Sequence, residues 1–370
     1  MTALVNIASN FTPPPHREGR NRLYRLRASA ARLLREERVA WCGRRARLGH
    51  VDVRCGEGRA SYGGVETCAS VWVCPACASK IAEERRKEVR ALADDHCRKG
   101  GSIYMAAFTL RHKHWQSATE LRQAVTKSWS KMIAGAPWKR AMEKAGCVGG
   151  VRALEVTHGK NGWHPHLHVV FFLDHEIGAD DFGIWLFERW CKIVERAGFG
   201  ECNPDIWRFE RAAHHDAVTD YVVKGNFDME LTRGHMKLAK GGGRSPWQLL
   251  TDAAEGDRRA AWLFRDFAKA FKGARQLTWF GDLREARSDL EIANADEPAE
   301  LLGTIPSRTF GTIMHHGLGA ALLDAAEAGG WQGVVDFLKR EGLDGSTIDG
   351  SFAAAARGSG DVAVPAVHRH

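Results

Sequence analysis

No apolar run in the 370-residue chain approaches the roughly 20 residues that a membrane-spanning helix requires, so no membrane segment is expected. The start, Met1 to Arg20, lacks the apolar stretch of a secretory leader. An even-numbered disulfide framework is missing as well. Nine cysteines are present, and five of them crowd between Cys42 and Cys77. Such clustering points to metal binding in a reducing cytoplasm rather than to disulfides. No internal repeat is found, which argues against a repeat array. Acidic residues are outnumbered, 45 against 53 Lys and Arg, for a formal net charge of +8. A basic balance suits a polyanionic partner, nucleic acid first. Most of the thirteen tryptophans are expected in the core, with base stacking open to the rest.

A chain of this length is expected to hold more than one core. Residues 1–20 read as a disordered N-terminus, with Pro13-Pro14-Pro15 and few apolar positions. Residues 21–99 read as a basic helix (Asn21 to Ala40), a small zinc-binding module, and a charged amphipathic helix from Ile81 to Lys99. Residues 100–285 read as one domain. Its strands are expected at Ser102–Leu110, 150–157, 166–173 and Asp205–Phe209. Its helices are expected at Ser117–Ala134, Asp180–Ala197, Ala213–Lys224, Trp247–Thr251 and Arg258–Phe271. One strand pair reads as a hairpin. That favours an α+β fold with a central antiparallel sheet and flanking helices over a doubly wound sheet. Residues 286–340 read as a helical C-terminal region, with helices near Ala320–Ala328 and Trp331–Arg340, and 341–370 as a flexible tail.

The most informative stretch is Gly162-Trp163-His164-Pro165-His166-Leu167-His168-Val169-Val170-Phe171-Phe172. Its β-branched and aromatic run predicts a buried strand. Alternate residues of a strand share a face, so His166 and His168 point the same way. Two imidazoles on one face make half of a metal site. Glu155 sits in the preceding apolar run, and Gly159, Asn161 and Gly162 are turn formers. A hairpin there brings Glu155 to the two histidines. His164 is expected beside these ligands as a supporting group.

Cys68-x5-Cys74-Pro75-Ala76-Cys77 is a compact thiolate cluster. Cysteines at C-x-x-C spacing grip one Zn²⁺ through a tight turn, and Cys68 is near enough to be a third ligand. Cys42, followed by a turn-forming glycine, is the preferred fourth ligand; Cys55 and His50 are alternatives. A closed, structural zinc site is expected. Tyr221 lies in Asp220-Tyr221-Val222-Val223-Lys224-Gly225, and on a helix Tyr221 and Lys224 share a face. A phenol with a pKa of about 10 is a poor nucleophile. A neighbouring ammonium and a metal-polarised phosphate would both help it attack. The alternative is a tyrosine packed on the sheet with a snorkelling lysine.

Taken in order, the cysteine cluster, Phe108-Thr109-Leu110, His166-Leu167-His168 and Tyr221-x-x-Lys224 resemble the rolling-circle plasmid replication initiators of the HUH endonuclease superfamily, single-tyrosine branch. Cys68 to Ile81 and Arg275 to Phe280 resemble flanking segments of those proteins, so the likeness covers roughly residues 40–285. The resemblance implies an RRM- or ferredoxin-like nuclease domain. It implies Mg²⁺ or Mn²⁺ on His166, His168 and Glu155, and in-line attack by Tyr221 with Lys224 assisting. A 5′-phosphotyrosine and a free 3′-hydroxyl would result. The implied partners are single-stranded origin DNA, a host DNA polymerase and a host helicase. Arg111 and His112 follow the Phe108-Thr109-Leu110 strand, where the family contacts DNA.

One departure stands out. The branch often carries a glutamate one turn before the tyrosine to activate water for termination, and here that position is Ala217. Two other readings are weighed: a conjugative relaxase or single-strand transposase, to which a third histidine such as His164 would belong, and a zinc-dependent DNA-binding regulator without cleavage activity. The pairs His214-His215 and His315-His316 read as surface or helix-end residues.

Overall fold

A computed structural model of the chain describes residues 15–177, 179–212, 218, 243–283 and 299–343. Among these residues there are nine α-helices and two antiparallel sheets. No helix among them is long and apolar enough to cross a membrane. Two compact units are present. One comprises described residues 15–31, 35–68 and 299–343; the other comprises 32–34 and 69–283. The segment 21–99 therefore contributes to both.

The first unit holds a three-stranded sheet. Its central strand is β1 (His50–Gly56), flanked by β2 (Arg59–Gly63) and β8 (Glu300–Pro306). Val51, Val53 and Ile305 pack against Phe310 of α8 (Ser307–His315) and against Leu322, Leu323 and Phe337 of α9 (Gly319–Arg340). α9 covers both expected C-terminal helices and breaks its regular dihedrals at Gly329 and Gly330. β8 escaped the sequence reading, because its partner lies some 250 residues away and leaves no local signal. The first helix, α1 (Pro15–Leu33), starts at a proline, whose missing N–H costs nothing at that position. Its Arg17 and Arg20 pair with Glu327, which is why residues 15–20, read as disordered, are helical.

The second unit is built on a five-stranded sheet. Its order is β6 (Phe209–Arg211), β3 (Ser102–Phe108), β5 (Gly162–Leu173), β4 (Cys147–Gly159) and β7 (Leu277–Gly281). This is the expected antiparallel sheet with flanking helices. β4 and β5 form the hairpin, and Gly159 opposite Gly162 closes a two-residue turn. Gly162 has φ +81°, and a Cβ there would meet the His114 carbonyl oxygen at 3.0 Å. Only glycine serves that position well.

β5 is the central strand, and Val169 to Leu173 are fully buried. One face carries Val170 and Phe172, which pack with Ile103, Val151 and the Val89 and Leu92 side chains of α2 (Pro75–Arg98). The other face carries Phe171, in ring contact with Phe182 of α5 (Ala179–Arg196), Phe209 and Phe280. Phe108 adds contacts to Trp190 of α5 and to Trp129 of α3 (Ala118–Met132). α3 begins at Ser117, whose side chain accepts the Glu120 N–H. Both faces are apolar, so hydrophobicity alone does not lock the register. A one-residue slip of the hairpin would turn Glu155, His166 and His168 into the aromatic layer, and burying an ion there is costly.

One expected strand differs. The stretch Asp205–Phe209 is not one strand: Pro204–Ile206 is a 3-10 turn, and β6 begins at Phe209. The Asn203 side chain accepts the Asp205 N–H and starts that turn. A further helix, α4 (Gly135–Lys144), follows α3 and carries Pro137 in its first turn. α6 (Pro246–Ala254) and α7 (Arg258–Phe271) complete the unit. Of the expected helix 213–224, only Val218 is among the described residues, and it is buried in the core with Val170 and Phe172.

Candidate functional site

Strand pairing positions the candidate centre. Glu155 stands directly opposite His166, and Ala153 and Ala107 stand opposite His168 from its two neighbouring strands. The two alanines leave room above the sheet for the imidazole. Glu155 Oε2 lies 3.2 Å from His168 Nε2 and 3.5 Å from His166 Nε2, and the two Nε2 atoms are 3.1 Å apart. All three side chains are mostly buried, at 14–17 % exposure.

Electrostatics hold this cluster in a charged state. Burial pushes the Glu155 carboxyl up, but hydrogen bonds with His166 and His168 outweigh that and bring it down to about 2. Burial disfavours the His166 imidazolium, yet the adjoining carboxylate and the His164 carbonyl raise its pKa. His166 Nδ1 lies 3.1 Å from the His164 carbonyl oxygen. An Nδ1–H donated there leaves Nε2 to face Glu155 and His168.

The set fits a divalent ion. Octahedral bonds of about 2.1 Å place adjacent ligands about 3.0 Å apart, close to the three separations here. Glu155 Oε1 is buried and has no hydrogen-bond partner among the described residues. A buried carboxylate oxygen left bare is costly, and a cation supplies what it lacks.

His164 stands apart from that trio. Its ring stacks on His166 with centroids 5.2 Å apart, and its Nδ1 lies 3.5 Å from Nδ1 of His112. Burial, then the nearby His166 and His112, push its pKa down to about 3, so it is neutral. The structure thus brings His112 next to the strand that carries His166 and His168. Arg111 is exposed beside it. Tyr221, Lys224 and Ala217 lie outside the described residues, as do His214 and His215. His315 and His316 are exposed at the end of α8.

Of the clustered thiols, Cys42 and Cys68 belong to one unit and Cys74 and Cys77 to the other. Cys74 caps α2, Pro75 opens the helix, and Cys77 follows in its first turn. The Cys68 N–H donates to Cys42 Sγ at 3.4 Å. Gly43 (φ +62°) and Ala69 (φ +51°) follow Cys42 and Cys68 in left-handed conformations that turn the chain sharply there. Cys55 lies within β1, and His50 stands at its start.

A family model described as replication protein matches residues 63–308. The chain belongs to the replication protein family. Among curated relatives, a protein named Protein rep from Streptomyces lividans is 26% identical over 291 residues, which is 60% of this chain and 64% of the relative. A second Protein rep, from Lentilactobacillus hilgardii, is 24% identical over 298 residues, covering 79% of this chain and 88% of the relative. A shorter match, 29% identical over 147 residues, covers 33% of this chain and 34% of a neomycin resistance protein from Streptomyces cyanogenus. The chain thus spans less than two thirds of the Streptomyces relatives it matches. No solved structure matches it significantly. The resemblance to plasmid replication initiators, drawn from the ordered motifs, agrees with this family membership.

Two features escaped the sequence reading. The contact of His112 with His164 joins the loop after β3 to β5, and no local pattern signals it. Phe187 and Trp207, which the sequence reading did not single out, line a cavity that His164 also lines.

Proposed function

We propose that this chain initiates plasmid replication by the rolling-circle route, cutting one strand of origin DNA through Tyr221. The observation that carries the reading is the convergence of Glu155, His166 and His168 on one sheet face, with a bare carboxylate oxygen, in a member of the replication protein family. A divalent ion bound there, Mg²⁺ or Mn²⁺, supplies Lewis-acid charge withdrawal from the scissile phosphate. Glu155 contributes the negative ligand, and the His164 carbonyl orients His166.

Tyr221 Oη attacks phosphorus in line. The bond to the 3′ oxygen breaks, the phenolic proton is released, and the 3′ oxygen leaves as a hydroxyl. The products are a 5′-phosphotyrosine and a 3′ end that a host polymerase extends while a host helicase opens the duplex. Lys224, three residues on in the sequence, steadies the phosphate or lowers the phenol pKa. The fold accounts for the other three tyrosines. Tyr104 is buried and donates to the Ile177 carbonyl, Tyr62 donates to the Gly319 carbonyl, and Tyr24 packs under Arg27. Val218 is buried in the core with Val170 and Phe172 of the histidine strand.

The four thiols hold a structural Zn²⁺ in this reading, and the protein acts in the cytoplasm. Arg111 and His112 contact the DNA backbone, a term that gives affinity and salt dependence rather than sequence choice.

The test is a denaturing gel of purified protein with labelled single-stranded DNA from its own replicon, in Mn²⁺ or in EDTA. A metal-dependent, protease-sensitive adduct that is absent in Tyr221→Phe is expected. DNA binding without cleavage at any site would sink the reading in favour of a zinc-dependent regulator.

A further inference from the structure

Between the end of β3 and α5 lies a cavity of about 390 Å³. It is of a size for small-molecule sites, which start at roughly 300 Å³, and admits one base with its sugar but not a duplex. Its wall includes Trp207 and Phe187, both half-buried, with ring centroids 5.4 Å apart and planes tilted 38°. Arg111 and Lys113 are exposed on its lining. Asn161, at the hairpin turn, and Glu201 add groups that match base edges.

His164 also lines this cavity, and its ring stacks on His166. One imidazole therefore separates the cavity from the candidate metal ligands. An aromatic wall, cationic residues and a neighbouring phosphate-processing centre are the features a single-strand site combines.

We propose that this cavity receives one unpaired nucleobase of the DNA strand, close to the scissile phosphate, and so sets the position of the cut. The base lies against Trp207, and Arg111 and Lys113 hold the phosphates that flank it. This rests on the reading that single-stranded DNA is the substrate; the nicking chemistry itself is not needed for the base to bind.

The experiment uses the full chain and a labelled origin oligonucleotide in which single abasic sites are scanned along the strand. Affinity is measured in EDTA, and adduct formation is followed separately in Mn²⁺. One position is expected to lose about tenfold in affinity when its base is removed, the others far less. Trp207→Ala should bind the intact and the abasic strand equally, and Trp207→Phe should retain most of the difference. Trp207 also touches Phe108. If the alanine variant melts early, the wild-type scan and the phenylalanine variant decide. A flat abasic scan, or a folded Trp207→Ala that keeps the full difference, overturns the proposal. A flat scan with adduct formed removes the cavity alone. A position-specific loss with no adduct keeps the cavity and removes the nicking reading.

Discussion

Glu155 and His166 face each other across β4 and β5, with Glu155 Oε2 3.5 Å from His166 Nε2. His168, two residues along the same strand, approaches the same oxygen at 3.2 Å. One carboxylate therefore serves two imidazoles, and several outcomes follow from that arrangement.

Glu155→Gln keeps the shape and removes the charge. Metal affinity should fall by about 100-fold, and the covalent adduct should be lost at the same Mn²⁺ concentration. Calorimetric titration with Mn²⁺ checks the first, and the denaturing gel the second. Unchanged Mn²⁺ affinity would remove Glu155 from the ligand set.

Without metal, the Glu155–His166 pair has a pH window. The His166 pKa is raised above 6.5, so its contribution is full below that value and is lost as pH rises through its folded pKa. The Glu155 pKa is lowered to about 2, so its contribution is present above the ordinary carboxylate value and is lost as pH falls toward about 2. A metal must displace the His166 proton. Mn²⁺ affinity should therefore rise by about tenfold per pH unit below the His166 pKa and level off above it. Titrations at several pH values test this, and an affinity independent of pH would contradict it.

Tyr104→Phe provides a control for Tyr221→Phe. It removes a 2.6 Å hydrogen bond to the Ile177 carbonyl in the core. Stability should drop by about 1–2 kcal/mol in urea unfolding, while adduct formation per folded molecule stays unchanged. Loss of the adduct in this variant would reopen the choice of nucleophile.

Zinc content is directly measurable. Elemental analysis should find one zinc per chain, and Cys74→Ser, which removes a fully buried sulfur, should abolish it and lower the melting temperature. The same variant should leave Mn²⁺ binding at Glu155, His166 and His168 intact if it remains folded. A full zinc complement in the variant would exclude Cys74 as a ligand.

Much of the centre was legible before any coordinates. Period-two alternation put His166 and His168 on one face, and the glycine-rich turn brought Glu155 opposite them. The C-x-x-C spacing likewise marked Cys74 and Cys77 as a pair, though the helix begins at Pro75 rather than at the expected Ile81. These are local relationships, set by strand pleat and turn geometry within about twenty residues. The helices expected at Ser117–Ala134, Asp180–Ala197 and Arg258–Phe271 were readable for the same reason, through local spacing, whereas α4 was not.

What the chain alone determined, then, was the family, and with it a set of candidates: His166 and His168, Glu155, and the clustered thiols. Tertiary structure decided the rest. The pairing of β8 with β1, the contact of His112 with His164, and the cavity walled by Phe187 and Trp207 join segments far apart in the chain. Such contacts are selected by burial and shape once the sheet has formed, and those forces leave no periodic trace in the sequence.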